Sequence, residues 1–372
     1  MTALATDILR LATPGVQGLS PYQPGKPIEE LEREYGVSGA IKLASNENPL
    51  GPNPRALAAA RDALTGIHRY PDGSGFALKK ALAKKHGVRP DSITLGNGSS
   101  DILEFLARAF VQPENEVIFS EHAFALYPIV TRAVGAKAVV TKAKDWGHDL
   151  AAMRQAVNVR TRLIFIANPN NPTGTWLKSG ELEEFISGLP AHVLSAVDAA
   201  YFEYAGEREY PDTIAWTAKY PNLVTTRTFS KAYGLAGLRV GYGISSPAVA
   251  EVLNRVRPPF NVNSVALAAA AAALEDEAHV ERAVQNNRDG MRQLSEAFAE
   301  MGLAHIPSAG NFICVDFRKP AEAMNEALMR QGVIVRPVAN YGMPNHLRVT
   351  VGLPEENKKF LEALEKVMRT EY

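Results

Sequence analysis

Short apolar runs recur through the middle of the chain, most of them rich in Val, Ile or Thr and bounded by turn residues. Runs of this length and composition are typical of buried strands. They span residues 93–95, 117–119, 138–140, 163–166, 193–197, 224–226 and 240–244. Between most of them the apolar positions follow helical spacing, as they do from Ile102 through Leu106 to Phe110. Because strands alternate with helices, the pattern predicts an α/β fold with a largely parallel sheet between helices.

The pattern changes after the Arg257-Pro258-Pro259 break. Helical patterns at 265–274, near 277–301 and from near 355 onward alternate there with strand candidates at 312–317, 333–335 and 347–351. This predicts a smaller α+β domain over residues 258–372, after a large domain over 46–257. Residues 1–45 are rich in Pro and Gly, so we expect them to form an N-terminal arm with a short helix.

Composition narrows the partners that this chain can have. Its 40 basic and 40 acidic side chains balance, so no global field attracts a nucleic acid or a membrane, and we expect neither as a partner. The lone Cys314 excludes an internal disulfide and any metal site built from several cysteines. No apolar run approaches the roughly 20 residues of a membrane helix, and the N-terminus lacks a signal-peptide pattern. We therefore expect a soluble, cytoplasmic protein without a bound metal.

One lysine has unusual neighbours. Lys231 is flanked by small and apolar residues in the segment TFSKAYGLAGLR, which spans 228–239 and follows a predicted strand. A lysine is most often a solvated surface residue, but the pKa of a half-buried one falls readily. A neutral amine is what a residue needs to form a Schiff base with an aldehyde. Ser230 and Arg239, in the same segment, could contact a phosphate.

This segment resembles the cofactor-lysine motif of the fold-type I pyridoxal-phosphate aminotransferases, and the likeness extends from Tyr22 to Arg348. The resemblance implies the fold of these enzymes, in which a large domain with a mostly parallel sheet between helices precedes a smaller α+β domain. It implies pyridoxal 5′-phosphate as the cofactor. It also implies that Lys231 is the catalytic residue, which holds the cofactor covalently, and that Ser230 and Arg239 bind its phosphate.

A second motif, GNGSSD at 96–101, follows a predicted strand and opens a helix. Glycines allow close backbone approach, and the N–H groups at a helix start form an anion site. By resemblance, Gly98, Ser99 and Ser100 bind the cofactor phosphate. The alternative is a dinucleotide-binding turn, with Glu121 as its ribose-binding acid. That interpretation lacks its third glycine, because Asp101 stands in its place.

Two further motifs follow predicted strands. The segment NPNNPTG at 168–174 is a turn of a kind that is common outside active sites. In the family the asparagine before Pro-Thr-Gly, here Asn171, binds the 3-oxygen of the cofactor. Asp198 follows the run 193–197 and needs a partner there, although helix capping would also satisfy it. By resemblance, Asp198 binds the pyridine nitrogen and makes the ring an electron sink, and Tyr201 binds the 3-oxygen.

Phe124 falls where the family stacks an aromatic ring on the cofactor. Tyrosine is common at that position, so Phe124 departs from the pattern by one hydroxyl and keeps the ring. A core aromatic is a comparable alternative for this residue.

Five shorter segments resemble the histidinol-phosphate aminotransferases: PYQPG at 21–25, ASNENPLGP at 44–52, HRYPD at 68–72, VRP at 335–337 and HLRVTVG at 346–352. The resemblance implies a homodimer in which Tyr70 reaches the cofactor phosphate of the partner subunit. It also implies that Tyr22 and Asn46 contact the substrate, and that Arg336 and Arg348 bind its anionic groups. A turn aromatic is the plain alternative for Tyr70, and a surface charge is the alternative for Arg336.

The implied reaction is a transamination between L-histidinol phosphate and 2-oxoglutarate, which gives imidazole-acetol phosphate and L-glutamate in histidine biosynthesis. One site must then bind a phosphate and carboxylates in turn. Arginine suits this task, because its planar fork binds either group through two hydrogen bonds.

Three other functions stay open at this point. An aromatic amino-acid aminotransferase would use Arg348 for the α-carboxylate of its substrate. A decarboxylase of the O-phosphothreonine type has similar anion requirements. A cofactor-binding transcription regulator would need a DNA-binding module, and the segment before Asn46 is too short for one and carries no basic cluster.

Overall fold

The computed structural model of the chain describes residues 8–206 and 208–371. The strands are β1 Ile41–Lys42, β2 Ile93–Gly96, β3 Glu116–Ser120, β4 Lys137–Thr141, β5 Ala143–Lys144, β6 Gly147–His148, β7 Thr161–Ala167, β8 Leu194–Asp198, β9 Leu223–Thr228, β10 Gly241–Ser245, β11 Ala304–Ile306, β12 Phe312–Asp316, β13 Val333–Ile334, β14 Arg336–Pro337 and β15 His346–Thr350. Residues 8–11 are helical, and the α-helices that follow are Pro14–Gln17, Ile28–Tyr35, Pro54–Ala63, Phe76–His86, Ser99–Phe110, Leu126–Ala133, Leu150–Ala156, Ser179–Ser187, Pro247–Val256, Ser264–Ala273, Glu277–Glu300, Glu322–Arg330 and Pro354–Glu371.

The central sheet has seven strands in the order β2-β10-β9-β8-β7-β3-β4. The pairs of β9 with β8, β8 with β7, β7 with β3 and β3 with β4 are parallel, which confirms the predicted α/β class. Only β10 runs antiparallel to its neighbours. The sequence pattern did not predict this reversal. The connection from β9 to β10 is occupied by the lysine segment and contains no α-helix of the kind that usually carries a parallel crossover.

Apart from the partly exposed edge strand β4, the strands of this sheet are buried on both faces, so their side chains alternate between two cores. On one face, Phe119 and Phe165 pack with Leu106 of the helix Ser99–Phe110. On the other, Ile164 packs with Phe185 of the helix Ser179–Ser187. Helices on both faces explain why these strands are continuous apolar runs and do not alternate apolar with polar residues.

The C-terminal elements form an antiparallel sheet in the order β11-β12-β15-β14, covered by the helices Glu277–Glu300, Glu322–Arg330 and Pro354–Glu371. The early strand β1 joins this unit by pairing in parallel with β13. The helix Ser264–Ala273 instead packs on the helix Pro54–Ala63 in the core beside β10. The division of the chain into 1–45, 46–257 and 258–372 stays a prediction.

Within the described ranges, the chain contains no helix long and apolar enough to cross a bilayer. The described residues also contain no cluster of three or more His, Cys, Asp or Glu side chains suited to a metal ion.

Candidate active site

The carboxyl ends of β7, β8 and β9 open into one cavity of about 190 Å³, where ligands of open α/β sheets usually bind. Strands β14 and β15 of the C-terminal unit supply the opposite wall. Thirteen of the fifteen side chains or backbones predicted to form the site line this cavity. They are Tyr22, Asn46, Ser99, Ser100, Phe124, Asn171, Asp198, Tyr201, Ser230, Lys231, Arg239, Arg336 and Arg348.

Lys231 extends from the loop after β9, and its Nζ donates to the backbone oxygen of Ser45 at 3.0 Å. Burial and then the positive charge of Arg348 lower the pKa of Lys231 to about 7. The carboxylates of Glu47 and Asp198 oppose this shift without cancelling it. Near neutral pH, a large fraction of this amine is therefore unprotonated, which allows it to act as a nucleophile or a base.

Asp198 ends β8 and is buried at the bottom of the cavity. Its Oδ1 accepts from Thr226 Oγ1 at 2.9 Å, and its Oδ2 accepts from Tyr127 OH at 3.1 Å. Burial raises the pKa of Asp198, and the hydrogen bonds from Thr226 and Tyr127 counteract that rise. The carboxylate can therefore accept a further hydrogen bond from a protonated nitrogen, at a position that is largely shielded from water.

Tyr201 lies just beyond Asp198, and its hydroxyl accepts from Asn46 Nδ2 at 2.8 Å. Burial raises the pKa of Tyr201 to about 12, so the phenol remains protonated and keeps its own O–H to donate. Asn46 is held by Thr350, whose Oγ1 accepts from the Asn46 backbone N–H at 2.9 Å. This contact joins β15 to the segment that precedes the large sheet.

A cradle of hydrogen-bond donors closes one end of the cavity. Ser99 and Ser100 begin the helix Ser99–Phe110, so the free N–H groups of its first turn lie beside the cavity. The guanidinium of Arg239 donates from Nη1 to Ser230 Oγ at 3.2 Å. Gly98 does not line the cavity itself, but a Cβ there would lie 2.6 Å from Nη2 of Arg239. The absent side chain of Gly98 therefore leaves the space that the guanidinium occupies.

Two arginines lie at the other end, on strand positions that pair directly with each other. Arg348 donates from Nη1 to Asn171 Oδ1 at 2.5 Å and from Nη2 to the backbone oxygen of Ala44 at 2.6 Å. Arg336 donates from Nη2 to the backbone oxygen of Gln23 at 2.6 Å. Both are largely buried, and no carboxylate in the described parts of the chain forms an ion pair with either. Buried cations without a counter-ion favour an anionic ligand.

Phe124 lines the cavity and meets the ring of Tyr127 edge-on, with 5.9 Å between the ring centroids. Tyr22 also lines it, and the guanidinium of Arg336 lies 5.6 Å from the centre of its ring. Tyr70 is different: it is 82% exposed, stacks on Phe260 with 4.7 Å between centroids, and lies outside the cavity.

Sequence reasoning missed several residues that shape the site. Tyr127 and Thr226 hydrogen-bond Asp198, the backbone of Ser45 accepts from Lys231, and Gly241 leaves space for the start of the helix Ser99–Phe110. A Cβ on Gly241 would lie 2.4 Å from Ser99 N. The only signal for Thr226 was its position on the strand beside β8, and that neighbourhood depends on the order of the strands.

The matching family model and the similar proteins of known function all indicate one family. The family model "Aminotransferase class I and II" matches residues 38–364. Histidinol-phosphate aminotransferase 2 of Pseudomonas fluorescens is 61% identical over 367 residues, which are 98% of this chain and 99% of that protein. Histidinol-phosphate aminotransferase 1 of Nitrosococcus oceani is 60% identical over 359 residues, which are 96% and 97% of the two chains.

Solved structures agree with this result. Histidinol-phosphate aminotransferase from Sinorhizobium meliloti, in complex with pyridoxal-5′-phosphate, superposes with a TM-score of 0.90 at 32% identity and covers 97% of this chain and 98% of its own. A mutant of Thermus thermophilus aspartate aminotransferase shares the fold, with a TM-score of 0.84 at 24% identity over 96% and 98% of the two chains. The chain belongs to the class I and II aminotransferases and, within them, to the histidinol-phosphate aminotransferase family. It is an enzyme of the transferase class with a fold-type I architecture.

Proposed function

We propose that this chain transfers an amino group between L-histidinol phosphate and 2-oxoglutarate, with pyridoxal 5′-phosphate as cofactor and Lys231 as the residue that holds it. The products are imidazole-acetol phosphate and L-glutamate, and the reaction serves histidine biosynthesis. The observation that carries the proposal is the half-buried Lys231, whose amine has a lowered pKa and lies between the donors of Ser99, Ser100, Ser230 and Arg239 at one end of the cavity and two arginines at the other.

The residues of the cavity fit this cofactor. Ser99, Ser100, Ser230 and Arg239 supply hydrogen-bond donors that suit a phosphate. The guanidinium of Arg239 occupies the space that a side chain at Gly98 would fill. The bound cofactor supplies an aldehyde that captures amines and a ring that takes up electrons. The relative from Sinorhizobium meliloti was solved with pyridoxal-5′-phosphate, which supports the same assignment here.

The polar groups between these ends suit the rest of the ring. Asp198 presents a buried carboxylate that can accept from a protonated ring nitrogen. The hydroxyl of Tyr201 accepts from Asn46, so its own O–H can donate to the 3-oxygen of the cofactor. Oδ1 of Asn171 accepts from Arg348, so the amide N–H₂ of Asn171 can donate to the same 3-oxygen. Phe124 provides an aromatic face at the wall of the cavity.

Lys231 has two tasks in this proposal. As a neutral amine it would hold the cofactor covalently. Once an incoming amine had displaced it, its Nζ would accept a proton from the substrate Cα and deliver it to the C4′ carbon of the cofactor, so that the amino group stays with the cofactor. A pKa of about 7 suits both steps, because each protonation state is then accessible near neutral pH.

Arg336 and Arg348 account for the two substrates. Histidinol phosphate presents a phosphate, whereas glutamate presents two carboxylates, and both must bind in turn. Paired guanidinium groups can bind either kind of anion, and Tyr22 and Asn46 lie beside them to contact the remainder of the substrate.

We further propose that the enzyme is a cytoplasmic homodimer with shared sites. The aromatic pair of Tyr70 and Phe260 is exposed, as are Ile67, Leu64 and Phe76 in the same part of the chain. Exposed apolar side chains in this number are typical of a surface that another chain covers. In such a dimer, Tyr70 reaches the cofactor phosphate of the partner subunit.

Steady-state kinetics on purified enzyme test the substrate. We expect kcat/KM for L-histidinol phosphate to exceed that for L-phenylalanine by at least an order of magnitude, with 2-oxoglutarate as the common acceptor. A preference for phenylalanine would identify an aromatic amino-acid aminotransferase instead. Release of carbon dioxide from a phosphorylated amino acid would indicate a decarboxylase.

A further inference from the structure

Tyr127 is fully buried beneath the candidate site, yet it has a polar hydroxyl. Its ring stacks on Phe165, with 4.6 Å between centroids and 9° between planes, and meets Phe124 edge-on. These two contacts fix the orientation of the Tyr127 ring. In that orientation the hydroxyl donates to Oδ2 of Asp198 at 3.1 Å.

The other oxygen of the same carboxylate has its own donor. Thr226 is the residue of β9 that pairs with Asp198 of β8, and its Oγ1 donates to Oδ1 at 2.9 Å. The backbone N–H of Ala200 adds a further donor. Both oxygens therefore accept hydrogen bonds from side chains outside the cavity, and these bonds restrain the plane of the carboxylate.

This arrangement matters because Asp198 is buried, and burial alone favours the neutral acid. A hydrogen bond to the charged form shifts the balance back towards the carboxylate. Three other titratable groups interact electrostatically with the Asp198 carboxyl: Lys231, Tyr201 and Tyr210. Lys231 favours the ionised carboxylate when it is protonated, whereas Tyr201 and Tyr210 have pKa values raised by burial and stay neutral.

We propose that Tyr127 and Thr226 are positioning residues, which orient the Asp198 carboxylate and keep it ionised so that it can accept from the ring nitrogen of pyridoxal phosphate. The inference rests on the proposed cofactor. Neither residue touches the cavity, so both act only through Asp198.

The test compares Tyr127→Phe with Tyr242→Phe. Tyr242 is an equally suitable control, since it is buried and its hydroxyl makes one hydrogen bond, 2.8 Å from His86 Nε2, away from the cavity. Each variant loses one hydroxyl from a packed ring. The measurements are the dissociation constant of pyridoxal phosphate, titrated into cofactor-depleted enzyme, and the pH midpoint at which the visible absorbance of the bound cofactor changes on the acid side.

For Tyr127→Phe we expect the dissociation constant to rise about tenfold to a hundredfold, as for the loss of one hydrogen bond to a charged group. We also expect the acid midpoint to move to higher pH, because the carboxylate loses a donor that favours its ionised form. Tyr242→Phe should leave both quantities at their wild-type values. Equal behaviour of the two variants would overturn the inference.

Thr226 gives a second, independent test should Tyr127→Phe fail to fold. Thr226→Val removes the hydroxyl and keeps the shape, whereas Thr226→Ser restores the donor. We expect the first to weaken cofactor binding and raise the acid midpoint, and the second to recover both. If Thr226→Ser is no closer to wild type than Thr226→Val, packing and not the hydrogen bond explains the residue. Failure of the wild-type enzyme to bind pyridoxal phosphate would instead overturn the proposed cofactor itself.

Discussion

The amine of Lys231 illustrates how much one half-buried residue contributes to this site. Its charge is disfavoured by burial and by Arg348, and its Nζ is held by the backbone oxygen of Ser45. The segment around Lys231 predicted a half-buried lysine, because its neighbours are small and apolar. The contribution of Arg348 was not predictable from spacing, since the two positions lie 117 residues apart in the sequence.

The lowered pKa of Lys231 predicts a pH dependence of stability in the cofactor-free protein. Between about pH 7 and about pH 10.5, the unfolded chain holds a proton on this amine that the native state has largely lost. The native state therefore gains stability from this group as the pH rises through that window. Lys231→Met removes the gain, so its urea midpoint should change less with pH than that of the wild type.

The control for this measurement is Lys142→Met, because Lys142 is exposed and forms an ion pair with Glu121 outside the cavity. We expect its urea midpoint to follow the wild-type pH dependence. If the urea midpoint changed with pH equally in the wild type and in Lys231→Met, the amine of Lys231 would have the same pKa in the native and the unfolded state.

At the scale of elements, the site depends on where strands and helices begin and end. Asp198 ends β8, and Ser99 begins a helix after β2. Each of these positions follows a short apolar run, so the local pattern predicted them. The partners Thr226 and Tyr127 could not be predicted in this way, because their contact with Asp198 depends on the order of β7, β8 and β9 in the sheet.

The start of the helix Ser99–Phe110 supports a prediction about Gly98. This residue has φ +85° and ψ 168°, a region that is essentially restricted to glycine, and a Cβ would lie 2.6 Å from Arg239 Nη2. We expect Gly98→Ala to destabilise the protein by about 1–3 kcal/mol from backbone strain. Because it also displaces the guanidinium, it should raise the dissociation constant of pyridoxal phosphate.

Gly180→Ala is the matched control for Gly98→Ala. Gly180 lies in the helix Ser179–Ser187, and a Cβ there would meet no atom within 4 Å. We expect this variant to retain wild-type cofactor affinity, measured by the same titration. Equal affinities for the two alanine variants would contradict the role given to Gly98.

For the whole molecule, the described chain contains almost the entire proposed site. Tyr70 is the exception, since it is exposed on a surface with Phe260 and lies outside the cavity of the same chain. A role across a subunit boundary was implied by resemblance alone. No apolar pattern or spacing within one chain can predict which residue enters the site of another copy.

Shared sites predict complementation between two impaired variants. Lys231→Ala lacks the amine, and Tyr70→Ala lacks the side chain that we propose enters the partner's site. In a mixed dimer, one site combines a normal Lys231 with a normal Tyr70 and the other has neither. After unfolding and joint refolding at equal amounts, we expect activity above that of either variant refolded alone, towards about a quarter of the wild-type value.

If the activity of the jointly refolded mixture were only the average of the two variants refolded separately, the sites would not be shared between subunits. Wild-type enzyme taken through the same refolding provides the reference for full recovery. Size-exclusion chromatography on each sample confirms that the species compared have the same oligomeric state.

In the proposed reaction a cofactor bound at Lys231 accepts the amino group of histidinol phosphate, and a half-reaction isolates this transfer. Purified enzyme carrying pyridoxal phosphate is mixed with L-histidinol phosphate alone, without an acceptor, and the visible absorbance and the released products are followed. We expect the absorbance of the aldehyde form to be lost and one imidazole-acetol phosphate to appear for each subunit, with no reaction in Lys231→Ala. Enzyme that binds the cofactor yet leaves histidinol phosphate unchanged would show that this compound is not the amino donor, and a Lys231→Ala variant that converts it at the wild-type rate would show that Lys231 is not the catalytic residue.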